Sequence, residues 1–300
     1  MATERIEKSW QKNGLEGYPL EAILGTLAHY GVNTDETVFR AMAADTFPLF
    51  IAQEWHEDWK GVGQFAKLPY AAANELWRRF VPDRLRPIDF SDTLGDLLVA
   101  LQDLVEEAPN EEVAPANEKV RALRAKLPTD EDKLADFMEE VFLQFDEQGT
   151  EVFDELAEEL AKAGRLEEAR AFVELEESLF PERRGIASAV MRAATGERDQ
   201  AIAELEQITQ DEARSQDSRL LAIDGLIHLD AHEPALKHGN KMLDDAEKAE
   251  DWHLALAAAD RLAFLLEKLE RNEELDALAD RAEKLSEAHD RAHPGHAHHH

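Results

Sequence analysis

The sequence predicts an all-α protein, an N-terminal helical domain followed by an α-solenoid of about four helical hairpins. Three observations lead there. Apolar residues recur three and four apart along most of the chain, the spacing that places them on one face of a helix. Glycines, prolines and short polar runs interrupt that spacing at intervals of one helix length. One hairpin pattern then returns further along, with Gly196 falling 32 residues after Gly164, as in repeat architectures.

The pattern is clearest from Phe153 to Pro181, FDELAEELAKAGRLEEARAFVELEESLFP. Phe153, Leu156, Ala157 and Leu160 share one helical face. Ala163 and Gly164 end that helix, since glycine takes the left-handed backbone that a helix cap needs. Leu166, Ala169, Phe172 and Val173 rebuild an apolar stripe on a second helix, and Pro181 stops it. Ala157 and Ala169 let two antiparallel helices joined by so short a turn approach closely. ATGERDQAIAEL repeats AKAGRLEEARAF in outline, with Gly196 for Gly164 and Ala201 for Ala169. A third hairpin is predicted from Arg219 to Ala246, turning at Asp230–Pro234, with Ala235 in the role of Ala201. Its first helix is placed only to within a residue. A fourth runs from about Leu254 to Leu285, with Leu262, Ala263 and Leu266, a turn at Arg271–Asn272, then Leu275, Ala279 and Ala282.

These residues resemble a tetratricopeptide repeat (TPR), over roughly residues 150–288. Leu156, Ala157, Gly164, Leu166, Ala169 and Pro181 match its large–small pair, turn glycine, early second-helix alanine and closing proline in order. Glu176 departs from a position that the family keeps small, and Leu166 stands where a large aromatic is common. The resemblance implies a concave face, lined by the first helix of each hairpin, that holds a segment of another protein. Carried onto this chain, that face includes Asp154, Glu158 and Lys162, then Ile186 and Val190, then Asp260, Arg261 and Phe264. Relatives that grip a C-terminal carboxylate use Lys and Asn at such places. Asp154 and Glu158 stand there in the first hairpin, which speaks against that activity here.

Composition bounds the partners. The chain has 300 residues, 44% hydrophobic, with no cysteine and a net charge of −32, so disulfides and thiolate metal sites are excluded. The opening MATERIEKSWQKN is polar and charged, unlike a secretory signal, and no run approaches the roughly 20 apolar residues of a membrane span. A soluble, cytoplasmic protein is expected. So acidic a chain disfavours nucleic acid and anionic membrane, which need a basic surface. It favours a basic protein, an exposed peptide segment or metal ions.

Residues 1–108 are expected to form a separate helical domain, since they lack the repeat and hold every tryptophan but Trp252. Leu20 to Tyr30 is a compact apolar helix stopped by Gly31. Thr34 is the expected cap of the next helix, which carries Val38 and Met42. Phe47, Phe50, Ile51, Trp55 and Trp59 make an aromatic stripe at helical spacing, assigned to the core. Ser91 is the expected N-cap of a last helix with Leu94, Leu97, Leu98, Leu101 and Leu104 on one face. Gly61-Val62-Gly63 lacks the strand and third glycine of a phosphate loop. His56-Glu57-Asp58 lacks the second histidine of a zinc-protease motif. Arg78, Arg79, Arg84 and Arg86 are expected to dock acidic helices internally. Residues 109–129 form a predicted linker with a short helix at Asn117–Leu127. The repeat region then spans 130–288, its first helix, Asp130 to Phe145, capping the first repeat.

Residues 289–300 form a histidine-rich tail, expected to be disordered. Its His293, His296, His298, His299 and His300 are candidate Ni or Zn ligands, since neutral imidazoles clustered on a short tract bind such ions. No acid–base pair, activated nucleophile or phosphate loop assembles from the sequence, so no enzyme and no required cofactor are expected. The leading expectation is a non-catalytic scaffold or adaptor that binds a protein segment on an acidic concave surface. A metal-handling protein that uses the tail is the alternative.

Overall fold

Helix starts follow their local chemistry. Helix α1 spans Leu20–His29, and α2, Glu36–Ala43, opens on Asp35, whose side chain accepts the Val38 N–H at 2.9 Å. Asp35 therefore caps this helix, where Thr34 was expected. Its buried face is Phe39 and Ala43, while Val38 is exposed. Helices α3 (Pro48–Asp58), α4 (Leu68–Phe80) and α5 (Pro87–Val105) begin with proline in their first two positions, where the missing N–H costs nothing. Helix α5 thus starts at Pro87, four residues before the expected Ser91. Ser91 is buried inside it. The computed structural model describes residues 14–106, 113–145 and 147–292, and among them every regular element is helical.

The chain divides into two compact units between Asp154 and Glu155. In the first, Phe47 meets Phe137 edge-on at 5.4 Å between ring centroids, Phe90 meets Phe137 at 5.8 Å, and Phe39 lies 5.9 Å from Phe80. Phe137 lies on α7 (Glu131–Phe142), which packs on α5. That helix was expected to cap the first repeat. Its Phe137 completes the core of the first unit, and its Phe142 meets Phe153 of the first hairpin edge-on at 5.2 Å between ring centroids. Helix α6 (Val113–Arg124) also packs on α5, with Val113, Ala116 and Val120 buried. Part of the predicted linker is therefore a core-bearing helix.

The arginine cluster is internal to the first unit, but its close carboxylate partners Glu75 and Asp89 lie three or four residues from the arginines, so it does not dock acidic helices as expected. Arg79 donates to Glu75 and to the Tyr18 carbonyl at 2.7 Å, while Arg86 pairs with Asp89 at 2.5 Å. Arg84 lies over the Trp77 ring at 4.7 Å and donates to the Ala43 carbonyl.

Helix α8 (Glu147–Lys162) runs through the division and buries Phe153, Leu156, Ala157 and Leu160. The second unit continues with α9 (Leu166–Leu179), α10 (Ile186–Ala194), α11 (Arg198–Gln210), α12 (Gln216–His228), α13 (His232–Lys248), α14 (Trp252–Lys268) and α15 (Asn272–Ala292). From α9 onward each helix packs on the next. In addition α10 touches α12, α11 touches α13, and α12 touches α14. Glu176, the departure from the repeat pattern, is buried, and Arg183 bonds it at 3.0 Å. Glu177 accepts the Gly185 N–H at 2.9 Å and the Ser188 N–H at 3.3 Å, so it caps α10 from the preceding helix.

One turn recurs. After α8 the Arg165 N–H bonds the Leu160 carbonyl, after α10 Glu197 bonds Arg192, after α12 Ala231 bonds Leu226, and after α14 Arg271 bonds Leu266. Each is the six-residue closure of a Schellman cap. Its left-handed residue is Gly164, Gly196, Asp230 and Glu270 in turn, with φ of 77°, 98°, 51° and 57°. The third and fourth hairpins therefore use the turn of the first two without its glycine. In the fourth, α15 buries Leu278 and Leu285 and leaves the predicted Ala279 exposed. No helix among the described residues is long and apolar enough to cross a membrane.

Candidate partner-binding site

Asp224, Ile227 and His228 fall three and four apart on α12, and Asp260, Arg261, Phe264 and Lys268 share the adjoining face of α14. Together they line a groove of about 540 Å³. Ile227 is buried at its floor. Phe264 is 58% exposed, because Leu262, Leu265 and Leu266 already fill the core side of α14. Leaving more than half of the residue in water forfeits part of the roughly 1.5–3 kcal/mol that full burial of a phenyl ring is worth.

Ion pairs hold the walls. Arg261 Nε lies 2.9 Å from Asp224 Oδ1, and its Nη1 donates to the Ala257 carbonyl at 3.0 Å, so the guanidinium links α12 to its own helix. Burial pushes the Asp224 carboxyl above its ordinary range despite the hydrogen bond and charge of Arg261. Lys268 Nζ donates to Asp230 Oδ1 at 2.7 Å, at the turn after α12. His228 Nε2 lies 2.6 Å from Glu158 Oε2, and Lys162 Nζ lies 2.6 Å from Glu158 Oε1. Burial pushes the Glu158 carboxyl up, but the hydrogen bonds from Lys162 and His228 outweigh it and hold the group below its ordinary range. Asp260 is exposed and makes no ion pair among the described residues.

The residues named from sequence separate accordingly. Asp260, Arg261 and Phe264 meet in the groove, and Glu158 and Lys162 join its edge through His228. Val190 is half-buried on α10. Ile186 is only 7% exposed and packs in the core of the second unit, so its side chain is not open to a partner. Asp154 is exposed and belongs to the first unit. The sequence did not point to Asp224, Ile227, His228 or Lys268. The three- and four-residue spacing on α12 is the signal that finds the first three, once that helix has its register.

His293, His296, His298, His299 and His300 lie outside the described residues, as does the Ni or Zn site expected there. Among the described residues no group of three or more His, Asp or Glu is placed to hold a metal ion. The chain matches no protein-family model, no curated protein and no solved structure.

Proposed function

We propose that the chain is a non-catalytic protein-interaction module, a scaffold or adaptor built as an α-solenoid of TPR-like hairpins. Its partner segment lies along the first helices of the hairpins, over the groove between α12 and α14. The recurring cap and the contacts of α10 with α12 and of α12 with α14 support the repeat reading, because like-placed helices stack in such folds. Phe264 carries the functional reading. A large aromatic held in water beside a groove, between charged residues, is suited to anchor an apolar side chain of a partner.

The groove also narrows the partner's chemistry. Asp224, Asp230 and Glu158 are matched by Arg261, Lys268, Lys162 and His228, so the local surface is less acidic than the net charge of −32 implies. Asp260 is left to meet a cation. The fitting segment is an apolar anchor for Phe264 flanked by Lys or Arg, drawn in by the charge of the whole chain.

The test is affinity capture from the source cell with the wild-type chain and with Phe264→Asp, followed by mass spectrometry. A protein retained by the wild type and lost by the variant, with the melting curve unchanged, supports the site. Identical capture by both overturns it.

A further inference from the structure

We propose that His253 and His289 form a two-imidazole clamp for a divalent transition-metal ion on the surface of the second unit. His253 is exposed at the start of α14, where Asp251 caps the helix by accepting the Leu254 N–H at 3.2 Å. His289 is 8% exposed near the end of α15. These neighbouring helices bring residues 36 positions apart together, with Nε2 3.2 Å from Nε2. The ring centroids are 4.5 Å apart and the planes cross at 81°.

The separation matches a metal chelate. With metal–imidazole distances of roughly 2.0–2.1 Å, a 3.2 Å span between nitrogens subtends about 100° at the ion, between the octahedral and tetrahedral angles. The tautomer is suited as well. His289 Nδ1 faces the Asp290 carboxylate at 3.5 Å. That favours the proton on Nδ1 and leaves the Nε2 lone pair for a ligand, as outer carboxylates do at metal-bound histidines. In that tautomer, and without metal, His253 donates its Nε2–H to that lone pair. On binding, the exposed His253 exchanges its proton with solvent from Nε2 to Nδ1, and both lone pairs then meet the ion. No net proton is released.

Both ligands sit on packed helices: Leu262 of α14 and Leu278 and Leu285 of α15 belong to one core. Little conformational freedom is lost on binding, which favours affinity. Two nitrogen donors of this kind follow the usual divalent series, with copper bound most tightly.

The test must separate this clamp from the tail. In the full chain, His293, His296, His298, His299 and His300 are all changed to Asn, and Cu²⁺ alone is titrated by calorimetry. One equivalent is expected to bind. Adding His253→Asn should weaken it at least tenfold, and Asp290→Asn, a change in a positioning residue, should weaken it by about tenfold. His253 is exposed, so the variant should keep its helical melting curve, and that curve is recorded with each titration. If the chain with the tail histidines replaced takes up no copper, or if His253→Asn leaves the affinity unchanged, the clamp is overturned.

Discussion

Glu140 accepts the backbone N–H of Leu49 through Oε2 at 2.8 Å, and so caps a helix that lies 91 residues upstream. Phe47 at the N-cap of α3 offers no side-chain cap of its own, and the orphan N–H groups at a helix start need an acceptor. Tyr70 donates to the other carboxylate oxygen at 3.2 Å and accepts from Gln144 at 2.9 Å. Glu140 is fully buried. Burial pushes its carboxyl from 4.5 up to about 7, although the Leu49 and Tyr70 hydrogen bonds oppose the shift.

The pH dependence of the first unit follows from that group. A carboxyl raised in the folded state contributes stability that is present below its unfolded value and is lost as pH rises through the folded one. The window runs from 4.5 to about 7, and at roughly 1.36 kcal/mol per pH unit the loss amounts to at most about 3 kcal/mol. Glu140→Gln keeps an acceptor for Leu49 without the charge. It should flatten the loss between about pH 5 and about pH 8 and melt higher than wild type at the upper end. Melting temperatures that move in parallel for both proteins would contradict this account.

Ala169, Ala201 and Ala235 hold equivalent places in successive hairpins, and all three are fully buried. Leucine at any of them overpacks a helix crossing and should cost on the order of 1–3 kcal/mol. Ala279, named from sequence on the second helix of the fourth hairpin, is exposed, so Ala279→Leu should shift stability by less than about 0.5 kcal/mol. Denaturant midpoints of Ala169→Leu and Ala279→Leu check the contrast directly.

Glu270 holds a left-handed backbone with φ 57° on an exposed turn. For a residue with a Cβ that conformation costs roughly 1–2 kcal/mol, while glycine gives back part of the gain by loosening the unfolded chain. Glu270→Gly should therefore raise stability by about 0.5–1 kcal/mol, read as a higher unfolding midpoint with the slope unchanged. A lower midpoint would show that the side chain, not the backbone, governs this turn.

Partner binding should split between two residues. Phe264→Ala should cost at least about 2 kcal/mol of affinity, as central aromatic anchors do. Asp260→Asn should act mainly on the association rate and weaken the salt dependence, since exposed charges are screened over roughly 8 Å at physiological ionic strength. Surface plasmon resonance at two salt concentrations distinguishes the two effects. A dissociation rate indifferent to Phe264→Ala would remove that ring from the interface.

The sequence alone determined that the chain is helical, where most helices lie, and that hairpins recur after Gly164 and Gly196. Helix periodicity is a local property, written in side chains three and four positions apart, so it survives without knowledge of the fold. The same locality explains what stayed hidden. Polar runs mark the turns near Asp230 and Glu270, but neither run carries the glycine that announces a left-handed turn. Those residues adopt it because the helices on either side are already held by their packing. Nothing in the segment around Glu140 names Leu49, and α7 could have served either unit until Phe137 met Phe47 and Phe90. The groove at Phe264 needed the register of α12, which is set by Ile223 and Leu226 entering a shared core. Only tertiary structure decided these points, because pairing between distant residues is settled by the packing and hydrogen bonding of the whole unit, and no local pattern carries that sum.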